Sequence, residues 1–392
     1  MFSYYIEECK PEAGQLRGPK VGALNQSELD FGGRIVVDDS IDSLIVKNLI
    51  GEVETEVNIS LSSAPKLHKE LGLGANQSVS RFEVALHKKS ITTDYHFSVY
   101  AQQNTKEVLL FRGFIQPVDL PKKVLLIVGS PRSGTSALGK ACRKALRAKA
   151  HGESHVIEGV AKAFMGTDAF FENSVTAGIT GNLVNTVPKT VLLAEHLTVL
   201  RNIYKLYYGN IIHLDKTPGI PMLQNLPFAL MAWPNAQVIF CKRRAMENIQ
   251  SRLIKFPKVG FLQHVKQWKQ SFVVWRQSRQ TINQLLKQRD WFIEVDQFDM
   301  AENAEQVSED LGVFLKLTGN EQHRLLKQLS SSDRPEQTST QNSKIKSLQD
   351  FNWSDAESAQ LREYCDKEMK LQNYSYGTTY YKNSSHQDEI NE

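Results

Sequence analysis

Val124-Leu125-Leu126-Ile127-Val128-Gly129-Ser130-Pro131-Arg132-Ser133-Gly134-Thr135-Ser136 is the stretch that decides the fold of this chain. Five consecutive apolar residues without alternation describe a strand buried on both faces, as in the interior of a parallel sheet. Beyond Ser136 the apolar positions Leu138, Ala141, Cys142 and Ala145 recur three and four residues apart, the spacing of a helix. Strand, glycine loop and helix in this order make an anion site. Gly129 and Gly134 supply unusual backbone angles, the loop amides face inward, and the helix dipole favours a phosphate. The two glycines have P-loop spacing, yet Thr135 stands where a nucleotide kinase carries Lys, and the cation comes earlier, at Arg132.

Downstream the same kind of run returns in Ile211-Ile212-His213-Leu214, Val238-Ile239-Phe240-Cys241 and Trp291-Phe292-Ile293-Glu294-Val295, with helical stretches between. That alternation predicts an α/β fold, a P-loop-type parallel sheet flanked by helices in three layers, with ligands at the carboxyl ends of its strands. Ser354-Asp355-Ala356-Glu357 fits a capping box that starts a late helix carrying Leu361 and Tyr364. Upstream, from about residue 30 to 117, alternation replaces the continuous runs: Val53, Thr55, Val57, Ile59, Leu61, then Phe82, Val84, Leu86, then Tyr95, Phe97, Val99, Ala101. A smaller N-terminal all-β domain is expected there, ending near Pro117 and Pro121. The division is an accessory, sandwich-like domain over 1–120, an α/β domain over 121–382 and a flexible tail over 383–392. The polar segment 330–343 is expected to be a mobile loop.

The chain has 392 residues, 41% hydrophobic and 23% charged, values that exclude disordered and fibrous classes. Forty-seven Lys and Arg against 43 Asp and Glu leave a formal charge of +4, too small to imply nucleic acid as a partner. Neither a basic leader nor an apolar run of membrane-spanning length is present in the sequence, so a cytoplasmic protein without a transmembrane segment is expected. Cys9, Cys142, Cys241 and Cys365 lie far apart without metal-like spacing, as reduced thiols would, and Cys142 and Cys241 sit in apolar patterns that predict core positions.

Pro131-Arg132-Ser133-Gly134-Thr135-Ser136 resembles, at every position, the loop with which the PAPS-dependent sulfotransferases hold the 5′-phosphosulfate of 3′-phosphoadenosine 5′-phosphosulfate (PAPS). Lys242-Arg243-Arg244 follows a buried strand, and Ser251 lies eight residues after Arg243, the spacing at which that family holds the 3′-phosphate. An Arg at a strand end can grip a phosphate through two parallel N–H bonds, and a serine hydroxyl from the next helix adds a third. The resemblance implies a sulfotransferase of the bacterial or protein-tyrosine-sulfotransferase-like branch, with PAPS as co-substrate and adenosine 3′,5′-bisphosphate as product. It implies that Arg132, Ser133, Gly134, Thr135 and Ser136 cradle the 5′-phosphosulfate, and that Arg243 and Ser251 anchor the 3′-phosphate. Two departures stand out. Ala245 replaces the usual Pro, and no Arg-Lys-Gly stretch appears near the C-terminus, which leaves Arg334 or Lys344 to complete the 3′-phosphate site. The motifs span roughly residues 122 to 300, and the β unit before them looks like an accessory domain of some bacterial members.

Sulfuryl transfer resembles phosphoryl transfer with less charge on the moving group, so cationic side chains suffice and no metal is expected. Asp215 and Asp296 come closest to magnesium ligands, and each is expected in a turn or cap. Asp215-Lys216-Thr217-Pro218-Gly219 resembles a family turn whose Lys, here Lys216, stabilises the leaving group, a task that Arg132 shares. The acceptor's hydroxyl or amine must lose a proton. In His151-Gly152-Glu153-Ser154-His155-Val156-Ile157-Glu158, which resembles the Gly-Glu segment of the family with the register slipped by about one residue, Glu153 is the preferred base, His155 the second and Glu158 the third. Lys140, Arg143, Lys144 and Arg147 recur on one face of the helix after the loop and would suit an acidic glycan, lipid or peptide acceptor. The alternatives are a P-loop kinase using ATP and magnesium, against which Thr135 speaks, and a non-catalytic nucleotide- or glycan-binding protein.

Overall fold

The structure, a computed structural model, describes residues 3–10, 21–24, 28–37, 43–48, 53–58, 78–87, 95–103, 105–117, 120–149, 151–176, 189–286, 290–330 and 345–382. Among the described residues eight strands precede residue 120: β1 (Ser3–Lys10), β2 (Val21–Leu24), β3 (Glu28–Val37), β4 (Ser43–Asn48), β5 (Val53–Asn58), β6 (Ser78–His87), β7 (Tyr95–Gln103) and β8 (Lys106–Pro117). β1, β3 and β6 form an antiparallel sheet, and β2-β8-β7-β4-β5 form a second sheet, antiparallel except at β2 and β8. Strands therefore begin well before residue 30, where the alternation first becomes legible. Val53 is exposed although the alternation assigns it to the same face as Thr55. The cause is a register shift between Val46 and Lys47: Thr55 faces Val46 while Val53 faces Lys47, so Glu54 is an extra residue that breaks the period of two.

Beyond residue 120 come β9 (Lys123–Gly129), α1 (Thr135–Leu146), α2 (Val156–Thr176), α3 (Lys189–Tyr208), β10 (Ile212–Lys216), α4 (Ile220–Ala232), β11 (Ala236–Lys242), α5 (Ala245–Lys255) and α6 (Phe261–Leu286). β12 (Phe292–Asp296), α7 (Gln297–Glu302), α8 (Ala304–Phe314), α9 (Gly319–Leu329) and α10 (Asp355–Leu371) complete the described elements. The four strands pair in parallel in the order β10-β9-β11-β12. The continuous apolar run of β9 is explained by its two faces. Val124, Leu126 and Val128 join a core with α2, α3, α4, α6 and α10, whereas Leu125 and Ile127 join another with α1, α8 and α9. All five are fully buried, each worth roughly 1.5–3 kcal/mol of transfer free energy. Cys142 and Cys241 lie in the second core as the sequence pattern predicts, both as buried free thiols. The predicted capping box is present at Ser354 and Glu357, at the start of α10.

Strand order sets the site. β9 carries the glycine loop and is flanked by β10, which ends in Lys216, and by β11, which runs into Arg243. Parallel pairing brings the carboxyl ends of all three to one edge of the sheet. Among the described residues no helix is long and apolar enough to cross a membrane.

Candidate active site

β9 ends at Gly129, whose φ of 144° and contact with β11 leave no room for a side chain, because a Cβ would collide with the Cys241 carbonyl oxygen. At the other end of the loop Gly134 takes φ 83°, and a Cβ there would sit 2.5 Å from Met300 Cε. Arg132 between them also adopts the left-handed region, at φ 72°, which costs a non-glycine residue energy. The loop is held in this shape from α5. Asn248 Nδ2 donates to the Pro131 carbonyl at 3.0 Å and to Ser133 Oγ at 2.9 Å. Arg252 donates to Ser130 Oγ at 2.7 Å, to Asn248 Oδ1 at 2.8 Å and to Gln267 Oε1 at 2.7 Å. These partners are neutral, and burial lowers the Arg252 pKa to about 10. A cation buried without a carboxylate beneath the loop raises the local potential in favour of an anion.

The two arginines after β11 do different things. Arg244 is fully buried and structural: its guanidinium donates to both Glu247 carboxylate oxygens and to the carbonyls of Ser375, Gly377, Thr379 and Lys346. Arg243 is also buried, and one of its terminal nitrogens donates to the Arg132 carbonyl at 3.1 Å, but its Nε has no partner. Burial pushes its guanidinium below the ordinary arginine value, against the raising effect of Tyr380, Glu247 and Asp296. Trp268 Nε1 holds the Arg243 carbonyl at 2.9 Å. Ser251, buried on α5, accepts from Arg132 Nε at 3.0 Å.

On the other side of β9, Lys216 Nζ donates to Glu153 Oε1 at 3.3 Å. Glu153 Oε2 also lies 3.4 Å from His155 Nε2, and His155 Nδ1 pairs with Glu158 Oε2 at 3.0 Å. The hydrogen bond to Glu158 raises the His155 pKa, with a smaller contribution from Glu153. Glu153 and His155 therefore occupy the turn before α2, while Glu158 stands in that helix's first turn. Asp215, fully buried, accepts from Thr217 Oγ1 at 2.7 Å, from Ser154 Oγ and from Tyr204 OH. Asp296 caps α7 by accepting from the Phe298 amide at 2.8 Å and receives the hydroxyls of Tyr374 and Tyr380. Asp296 thus serves the cap role expected of it, whereas Asp215 stands inside β10 and holds the following turn through the Thr217 hydroxyl.

Arg132, Ser251 and Arg243 come together on one side of the loop, and Lys216 with Glu153 and His155 on the other. Ser133 and Thr135 are buried within the loop and its helix start, and Ser136 is half-buried on the first turn of α1. Arg334 and Lys344 lie outside the described residues. Lys144 is exposed on α1 with Lys140 and Arg143 half-buried, whereas Arg147, expected on the same helical face, is the exposed C-cap residue in the left-handed conformation, at φ 53°. Sequence reasoning missed Asn248 and Arg252, although with Ser251 they fall at positions i, i+4 and i+3 of one helical face. It also missed Ser154 and Tyr204. Ser154 sat inside a quoted stretch beside more conspicuous residues, and Tyr204 is remote from every motif.

The sequence model described as the sulfotransferase family matches residues 125–321 of the chain. Among solved structures, a sulfotransferase from Mycobacterium avium is 11% identical, with 64% of this chain and 78% of that one covered and a TM-score of 0.37. The sulfotransferase domain of the Synechococcus PCC 7002 olefin synthase is 16% identical, with 62% and 88% covered and a TM-score of 0.32. No curated protein matches the chain.

Proposed function

From the chain's membership of the sulfotransferase family, we propose that it moves the sulfuryl group of PAPS onto a hydroxyl or amine acceptor. The observation that carries the PAPS reading is Arg243: a buried guanidinium with an unpartnered Nε, anchored on the carbonyl of Arg132, the loop arginine whose side chain bonds the buried Ser251. A buried donor without a partner costs about 1–3 kcal/mol, a cost that a phosphate at that position would remove. The cradle formed by Gly129 and Gly134, closed to any Cβ, fits a backbone that must approach a phosphate closely.

In this reading Arg243 and Ser251 hold the 3′-phosphate, with Arg132 beside them through its bond to Ser251. Ser133, Gly134, Thr135 and Ser136 at the start of α1 receive the 5′-phosphosulfate, with the side chain of Arg132 available from the same loop. When bound, PAPS supplies the sulfuryl group and departs as adenosine 3′,5′-bisphosphate. As the acceptor's oxygen or nitrogen bonds to sulfur and the bond from sulfur to the bridging oxygen opens, Lys216 neutralises charge on that oxygen. Glu153, 3.3 Å from Lys216, takes the acceptor's proton, with His155 the second choice and Glu158 the third. The cationic face of α1 fits an acidic glycan, lipid or peptide as acceptor. The division into an accessory unit through residue 120 and a transfer unit over 121–382 belongs to the same proposal, as does a cytoplasmic setting, with which the buried free thiols of Cys142, Cys241 and Cys365 agree.

The test is to incubate the protein with PAPS labelled at sulfur, with a panel of phenols, oligosaccharides, lipids and acidic peptides. Label transferred in step with release of the bisphosphate, and lost in Lys216→Ala, is the expected result. Binding of PAPS without transfer or release under any condition would leave a binding protein in place of an enzyme.

A further inference from the structure

We propose that Asp215 is a positioning residue that clamps the turn bearing Glu153 and His155 to the end of β10, through Ser154 and Thr217, and so sets the separation of Glu153 from Lys216. The inference rests on the sulfotransferase reading for its catalytic meaning, while the clamp itself is a matter of geometry.

Adjacent side chains of a strand point to opposite faces. Lys216, whose side chain packs against the Gly139 position of α1, and Asp215, which reaches Tyr204 of α3, therefore leave β10 on opposite sides. Asp215 is fully buried, and both of its carboxylate oxygens are taken up by hydroxyls of the protein itself. Its three side-chain donors are hydroxyls: Thr217 Oγ1 at 2.7 Å on one carboxylate oxygen, and Ser154 Oγ and Tyr204 OH on the other. Ser154 is held twice, since its amide also donates to Thr217 Oγ1 at 3.1 Å. Thr217 is fixed in turn by its amide bond to the Ile127 carbonyl at 3.2 Å, and two residues on, the Gly219 amide reaches the Gly129 carbonyl at 2.9 Å. One frame thus runs from the glycine loop through the 217–219 turn to Ser154.

Ser154 lies between the two preferred bases. With its backbone and hydroxyl pinned inward, Glu153 is held toward Lys216. His155 is forced into the left-handed region, at φ 52°, where it bridges Glu153 and Glu158. A loop of this kind would otherwise let the base drift, and small misplacements of a catalytic group cost large factors in rate. A purely structural Asp215 would support the core and leave the turn's geometry unaffected by loss of the Ser154 hydroxyl.

The test compares wild type, Ser154→Ala and Ser154→Thr, with Asp215→Asn as a second lesion that keeps the carboxylate's size. Three quantities are read: the NMR titration of the His155 ring, affinity for adenosine 3′,5′-bisphosphate, and release of the bisphosphate from PAPS with water as acceptor. In Ser154→Ala and Asp215→Asn the His155 pKa is expected to fall toward the ordinary histidine value as its carboxylate partners separate. PAPS turnover drops at least about tenfold, affinity for the bisphosphate stays within about twofold, and Ser154→Thr restores both changed quantities. An unchanged His155 titration in Ser154→Ala overturns the clamp, as does bisphosphate affinity that falls in parallel with turnover. If the wild type neither binds the bisphosphate nor consumes PAPS, the sulfotransferase reading fails, and the His155 titration still decides the clamp.

Discussion

Arg132 Nε donates to Ser251 Oγ at 3.0 Å, so the arginine of the glycine loop and the serine of the second motif, 119 positions apart in sequence, meet directly. Arg243 reinforces the junction by donating to the Arg132 carbonyl. The two motifs are therefore joined directly on the α5 side of the loop, while Lys216 approaches from β10 on the other side of β9. In the proposed function, binding and chemistry divide along this line, so mutations on the two sides should have separable effects.

Arg243→Ala removes the buried donor whose Nε awaits a partner. Hydrogen bonds to charged groups contribute about 1.5–3 kcal/mol, so affinity for adenosine 3′,5′-bisphosphate is expected to fall about 10- to 100-fold. Ser251→Ala has a smaller effect in the same direction. Isothermal titration calorimetry with the bisphosphate measures both.

Lys216→Ala and Glu153→Gln act on the other side. Loss of the leaving-group cation is expected to lower kcat by about 100- to 1000-fold, and loss of the base by about 100-fold. Affinity for the bisphosphate should change little in Glu153→Gln. Single-turnover kinetics with PAPS, set beside equilibrium binding, separates the two quantities.

Gly129→Ala and Gly134→Ala both put a Cβ where φ is positive, with a strain on the order of 1–3 kcal/mol. Gly129→Ala is expected to be the worse, because its Cβ collides with the backbone oxygen of Cys241, whereas at Gly134 the nearest atom is the movable end of Met300. Thermal unfolding should place Gly129→Ala below Gly134→Ala, with bisphosphate affinity reduced in both.

The buried sheet and its loop were legible because continuous apolar runs ending in glycine, Lys or Arg have few other uses. Lys216 and Arg243 were found on the same grounds, each standing at or just after a strand end, and Ser251 by its spacing of eight residues from Arg243 in a motif resembling the family's. In sequence, Arg243 was set apart from Arg244 only by its spacing to Ser251. Only folding shows that Arg244 is consumed by the carbonyls of residues 375–379 and Lys346 while Arg243 faces the loop. Asn248 and Arg252 were hidden because polar residues on a helix normally face water, and their burial depends on the loop that covers them. Tyr204 was hidden because an aromatic residue on an apolar helix signals core, and its hydroxyl acquires a partner only when α3 packs beside β10. The exposed Val53 shows the limit of alternation, since a bulge leaves no local mark.

Asp296 gives a pH dependence of stability. Burial pushes its carboxyl up to about 6, against the opposing effect of the Tyr374, Phe298 and Tyr380 hydrogen bonds. Because the folded pKa exceeds the unfolded value of 3.8, the native state holds a proton that the unfolded chain has lost between about pH 4 and pH 6. This group's contribution to stability is therefore largest below pH 4 and declines as pH rises through 6, by on the order of 3 kcal/mol. Asp296→Asn should abolish that component, so the difference in unfolding free energy between wild type and variant shifts against wild type as pH rises from 4 to 7. Denaturant unfolding across that range measures it, and a difference that is flat with pH would show that Asp296 stays ionised in the fold.

The most direct test of the central claim is a thermal-shift titration of the intact protein with adenosine 3′,5′-bisphosphate and, separately, with ATP plus magnesium, since linkage ties the shift to affinity. A PAPS site gives a rise in Tm with the bisphosphate that is largely lost in Arg243→Ala, and little or none with ATP and magnesium. Stabilisation by ATP and magnesium with none by the bisphosphate would contradict it.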